Sequence, residues 1–345
     1  MAVCLRHAGV CLALLVSAVA LPAQEPEEDE PRRPPSHRAL NLTIDGFGLS
    51  IGNSRRVNGI RINLQDYRLG RVNGVNITLW QPRDGDPASG TVNGVALGLV
   101  GPANQVINGV AVGLGGVVVE RRARWITIGG LGAVSEGSLE GIAVGGLGLV
   151  AEGDLRGIAI GGLGAVAERS VTGVVVGGLG AVAEGDITGI ALSGLGTVTE
   201  GRMRGVSFGG LAVVGEDGLD GLSVAGLAVV ADGRIRGVSA ALGAVVGETI
   251  EGVAVAGLRI DSRRVTGLAV PVLHLRTRTL TGVSIGAYNR VLGTQVGVTI
   301  GLYNSARVLK GVQIGVLNRA RNNRPPFRWL PVLNLNFAGA RPRPE

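Results

Sequence analysis

The sequence predicts an all-β protein folded as a β-solenoid of about seventeen coils, each of 14–16 residues. Three observations predict it. A short phrase recurs at a nearly fixed period, clearest as GIAVGGLGLVAEGDLR from Gly141, GIAIGGLGAVAERSVT from Gly157 and GVVVGGLGAVAEGDIT from Gly173. Such a period is the mark of a stacked repeat architecture. Its apolar runs are Val, Ile, Leu and Ala between glycines, a pattern that favours strands and that no helix survives. Aromatics make up only 3% of a chain that is 46% hydrophobic and holds 60 glycines, so the interior must be thin.

Taken from the N-terminus, residues 1–23 read as a secretory signal. Arg6 precedes an apolar run from Ala8 to Leu21, and small-residue cleavage sites follow at Ala18-Val19-Ala20 or Ala23. The run is too short to span a bilayer. Cys4 and Cys11 both lie inside this segment, so the mature chain would hold no cysteine, disulfide or thiolate metal site. Residues 24–38 form an acidic, proline-rich tether that buries nothing.

The repeat domain spans 39–337. Its anchor glycines start at Gly59, Gly74, Gly94 and Gly109 and resume at Gly141 to end at Gly311, with Trp125 in the one slot that lacks glycine. Steps are 15 or 16 residues, except one of 20 and a last one of 14. The long step holds QPRDGDPASG at 81–90, a surface loop inserted between coils. Aromatics gather near the ends (Phe47, Tyr67, Trp80; Phe327, Trp329, Phe337), which marks 39–58 and 318–337 as caps against open-ended stacking. Residues 338–345 are a loose tail.

Within a unit, Ile142-Ala143-Val144 and Leu147-Gly148-Leu149-Val150 are two short strands. Gly145-Gly146 and Glu152-Gly153-Asp154 are the corners between them. Stacked at the usual strand spacing of about 4.8 Å, seventeen such coils make a rod of roughly 80 Å, with Val, Ile and Leu filling the interior. Rows of Ala143, Ala159, Ala191, Ser207 and Ser223 then form flat small-residue faces outside. The alternative is an outer-membrane β-barrel with one strand per repeat, which a mean hydropathy of +0.36 and the LPVLNLNF ending keep open. Length changes in mid-unit, at Val224-Ala225-Gly226-Leu227 against Ala240-Ala241-Leu242, argue against it. So do Pro271 and the scarcity of aromatic girdles.

VNGVNITLW from Val72, KGVQIGVLN at 310–318 and LPVLNLNF at 330–337 resemble the bacterial exported surface-repeat proteins first catalogued in Leptospira, whose units read near (V)NGVQIGLVN. The resemblance covers about residues 39–337. It implies a secreted or surface-associated protein and no chemistry. The central units carry Gly148, Gly164 and Gly180 about where that family prefers Asn.

A repeat turns one residue into a column. Glu120, Glu136, Glu152, Glu168, Glu184, Glu200, Glu216, Asp232 and Glu248 recur at intervals of 16. Carboxylates about 5 Å apart repel unless compensated. They are either a row of cation sites or, as expected, corner residues that cap backbone N–H groups with help from Arg156, Arg169, Arg202 and Arg234. Asn289, Asn304 and Asn318, continued by Asn334, form a second, structural column in which amides bond along the axis.

The net charge of +7 hides an acidic stretch and a basic one. Residues 136–257 hold six Arg against fourteen acids, and residues 258–345 hold fourteen Arg and Lys against two. The basic C-terminal third suits anionic envelope polymers or self-association. Nucleic acid is excluded for want of aromatics among the arginines.

Catalysis finds no footing. His37 and His274 are the histidines outside the signal, and no metal spacing or GxSxG element appears. Gly162-Leu163-Gly164-Ala165-Val166-Ala167 mimics a dinucleotide fingerprint, but no helix can follow it. No enzyme activity, cofactor or metal is expected. The expectation is an exported, non-catalytic structural or adhesive protein of the bacterial envelope or surface. A membrane pore and a polysaccharide-binding or -cleaving β-helix are the rivals.

Overall fold

The computed structural model describes residues 39–44, 47–66, 68–80 and 89–338. The signal, the tether with His37, Tyr67, most of the inserted loop and the tail beyond 338 lie outside them. The chain forms two compact units divided after Glu184. Among the described residues there is no helix, and 26 strands make up β-solenoid coils, about fifteen turns in all.

Within each unit, pairing is parallel and joins a residue to its copy one coil on. In the first unit Leu155 lies between Leu139 and Val171, and Gly157 between Gly141 and Gly173. In the second, Ile187 pairs with Met203, Met203 with Leu219, and Leu219 with Ile235. A transmembrane barrel needs antiparallel neighbours, so this register rules out the barrel.

The period drops from 16 to 15 in the second unit. Val230 pairs with Val246, but Arg234 pairs with Thr249, so the residue is lost at the corner holding Glu248. The sequence places the loss at the opposite corner, around Ala240-Ala241-Leu242. There Val224 still pairs with Ala240 and Ala225 with Ala241 at the full sixteen.

The anchor glycines sit inside strands rather than between them. Gly157 has φ 114°, and a Cβ added to it would stand 2.2 Å from the carbonyl oxygen of Gly141. Both the kink and the tight stacking of coils therefore require glycine. About this kink the residues two before and two after the glycine point inward, as Leu155 and Ala159 do, while Ile158 and Ile160 point out.

This parity overturns the expected interior. Ala143 is 5% exposed whereas Ile142 beside it is 43% exposed. Ala159, Ala191, Ser207 and Ser223 are likewise buried, so the small residues line the core and make no outer face. Opposite the Leu column and the inward Ala167 and Ala183 this column is mostly Ala and Ser, with Val175 in register with Ala159 as a larger member. In this column Ser207 Oγ donates to Ser223 Oγ at 2.9 Å, whereas the Ser239 hydroxyl is buried without a partner among the described residues.

Each unit is closed at one end by a strand of reversed direction. Ala39–Ile44 pairs antiparallel with Phe47–Gly52 in the first unit, and Trp329–Asn336 pairs antiparallel with Gly311–Arg319 in the second. The expected cap segments contain these strands, but their aromatics do not build an apolar plug: Phe47, Trp80, Phe327, Trp329 and Phe337 are all exposed. The arginine of Arg319 lies 4.6 Å from the Trp329 ring centroid.

Candidate functional site

The acidic column is present on the outer surface of both units. In the first, Glu136, Glu152, Glu168 and Glu184 are exposed, Glu120 is half-buried, and the backbone N–H of Glu152 donates to Ser135 O at 2.9 Å. In the second, Glu200, Glu216, Asp232 and Glu248 are exposed. Among the described residues, no three His, Cys, Asp or Glu side chains converge as a metal group.

Backbone capping falls instead to other residues. Asp154 Oδ1 accepts from the N–H of Ser170 at 3.3 Å, and Asp186 Oδ1 from the N–H of Arg202 at 2.8 Å. The arginines expected to neutralise the column pair elsewhere: Arg156 with Asp154, Arg202 with Asp220 and Arg234 with Glu251. Glu248 alone of the column is ion-paired among the described residues, to Arg263 at 2.7 Å.

The asparagine column lies in the interior of the second unit. Asn289 Nδ2 donates to Asn304 Oδ1 and Asn304 Nδ2 to Asn318 Oδ1, both at 2.8 Å, and all are fully buried. Spare donor capacity goes to strand carbonyls, as from Asn304 to Ile314 O at 2.9 Å. Asn334 joins through the Asn318 backbone carbonyl rather than its amide.

Two polar arrays escape the sequence reading. Asn58, Asn73, Asn93 and Asn108 form an outer amide ladder at 2.7–2.9 Å, unbroken across the 20-residue step. The recurring VNG and ING phrases were its visible signal. The second is a buried node in the first coils. The Arg61 guanidinium binds Asp66 and donates to Asn76 at 2.8 Å and Asn53 at 2.9 Å. Asp66 also accepts from Asn63 at 2.8 Å and from Thr78 at 3.0 Å. Its signal is that Arg61 and Asn76 stand in the inward column that Ala96 and Ala111 continue.

Outside, the side chains left over by the parity are apolar. Ile142, Ile158, Leu147 and Leu163 repeat on the first unit, and Ile190, Leu195, Leu211 and Leu227 on the second, all about two-fifths exposed or more. A contiguous apolar run on the outside of a soluble chain marks an interaction surface.

One outer face of the second unit changes character along its length. It is the outward side of the short strands. Its first column runs Gly196, Ala212, Ala228, Ala244 and then Arg259, His274, Tyr288. The second runs Val198, Val214, Val230, Val246 and then Asp261, Arg276, Arg290. Beside them the acids end at Glu248, and Arg263 and Arg278 follow. A hollow of about 330 Å³ lies on the charged side of this unit, lined among others by Arg202, Asp217, Asp220, Arg236 and Glu248.

No protein-family model, curated protein or solved structure matches this chain.

Proposed function

We propose that the chain is an exported, non-catalytic structural or adhesive repeat protein of the bacterial envelope or surface. In this reading it works by lateral association of its outer columns. The observation that carries it is the display of Ile and Leu on the outside of successive coils, in addition to the Leu and Ile column buried with Ala and Ser in the core. A repeat protein that also shows large apolar residues on successive coils has a surface suited to being covered. The leader-like residues 1–23 and the charged tether at 24–38 support export, and the regular columns support a scaffold role over a reaction site.

The test is to express the chain from Met1 in a Gram-negative host, fractionate the cells, and measure the intact mass of the product. Recovery outside the cytoplasm with cleavage near Ala20 or Ala23 is the expected result. A full-length product retained in the cytoplasm overturns it. Outer-column variants such as Ile158→Thr with Leu163→Thr should then fold normally and detach from the envelope fraction.

A further inference from the structure

The short-strand face of the second unit carries two complementary halves. Its first four coils are flat and small, with Gly and Ala in one column, Val in the next and an acid at the edge. The following coils are bulky and basic on the same columns, and Arg276, Arg278, Tyr288 and Arg290 are all exposed. Between residues 185 and 257 there are four Arg against eight acids, and between 258 and 338 twelve Arg and Lys against one. The sign changes where Glu248 meets Arg263.

We propose that this face binds a second copy of the same chain, antiparallel and face to face, about a two-fold axis crossing the face between the coils of Glu248 and Arg263. The proposal rests on the associative reading above and names its partner. Two faces that oppose each other can run parallel or antiparallel. Parallel pairing sets the acidic edge of one copy against the far edge of the other. Antiparallel pairing keeps the same edges together and reverses their order, which brings Asp232 to the level of the partner's Arg278.

The halves also fit by size. Arginine stems lie on Val214 and Val230, and the Tyr288 ring covers the column of Gly196 and Ala212, so every bulky residue meets a small one. Seven coils at about 4.8 Å and a strand width of roughly 15–17 Å give about 540 Å² per copy, to which the adjoining Leu ridge adds. That approaches the roughly 800 Å² per partner of a standard interface. The charged rims set orientation and speed of encounter, and the Val and Ala columns supply the buried apolar area.

The experiment uses the full chain in light-scattering chromatography at low salt and at about 1 M salt. The wild type is expected to be dimeric at low salt and to weaken at high salt. The double variant Glu216→Arg/Asp232→Arg and the double variant Arg276→Glu/Arg278→Glu should each weaken self-association by about tenfold or more. Mixed in equal amounts, the two should form a heterodimer of near wild-type affinity, because position 232 of each copy again meets an opposite charge at position 278 of the other. All four positions are on the surface, and an unchanged circular dichroism spectrum and melt verify folding.

A wild type that stays monomeric at every salt concentration overturns the proposal, as does a mixture that fails to restore pairing. Binding of a monomer to vesicles of anionic phospholipid would assign the face to lipid instead and overturn it too. Either failure leaves the export assay and the envelope-detachment assay of the outer columns intact, so the broader reading stands or falls separately.

Discussion

Trp125 stands in register between Gly109 and Gly141 and carries the positive φ of that column, 87°, with a side chain that is 72% exposed. A bulky residue is strained there by roughly 1–3 kcal/mol, and its exposure returns little of that. Trp125→Gly is therefore expected to stabilise the first unit by a net of about 1 kcal/mol, since glycine costs some of the gain in the unfolded chain. Gly157→Ala should act in the opposite sense by at least about 2 kcal/mol, because the new Cβ meets the Gly141 carbonyl. Thermal melts of both variants check the pair.

The Arg61–Asp66 node predicts an asymmetry between single and double substitution. Asp66→Ala strands a buried guanidinium and should cost about 3–5 kcal/mol. Arg61→Met with Asp66→Leu removes both charges and should cost clearly less. Hydrogen exchange over residues 56–113 reads the local loss directly.

Asn304 is the middle of the buried amide ladder, so Asn304→Leu leaves Asn318 Oδ1 without its donor and Ile314 O without its side-chain bond, while Asn289 keeps the Gly286 and Ile300 carbonyls. The expected cost is about 2–4 kcal/mol. Asn304→Asp keeps the acceptor, loses both donated bonds and buries a charge, and should be the worse of the two. Denaturant unfolding followed by exchange in residues 285–320 distinguishes them.

The acidic column gives a salt-dependent prediction. Glu152 and Glu168 stand one coil apart on the surface, so Glu152→Gln/Glu168→Gln should raise stability by a few tenths of a kcal/mol at low ionic strength, and the gain should vanish in about 0.5 M salt. Calcium and chelator should leave the wild-type melt where it is, since the acids do not converge on a common point. A rise of several degrees with calcium would overturn this.

The period, the glycine anchors and the parallel stacking were legible because at every one of these kinks except that of Trp125 the positive φ and the nearby carbonyl are met by glycine. The facing of the strands was not. In Ile142-Ala143-Val144 hydrophobicity alone puts the large residues inside, whereas the width available puts Ala143 there and gives the volume to Leu139, which lies before the glycine. The buried asparagines were legible as a column because they repeat. The Arg61 node was not, because it is assembled once, from Asn53, Asp66 and Asn76, at spacings no repeat predicts.

The coil-to-coil register also bears on heredity. Sixteen codons cut from Gly157 through Thr172 would leave Gly173 to take the place of Gly157, and every residue removed has a counterpart of the same facing one unit on. Loss or gain of whole units of this kind changes the number of coils without disturbing the facing of the rest. Length is thus a trait that this lineage can adjust by copying errors alone, while the glycine under each kink stays fixed by the neighbour it touches.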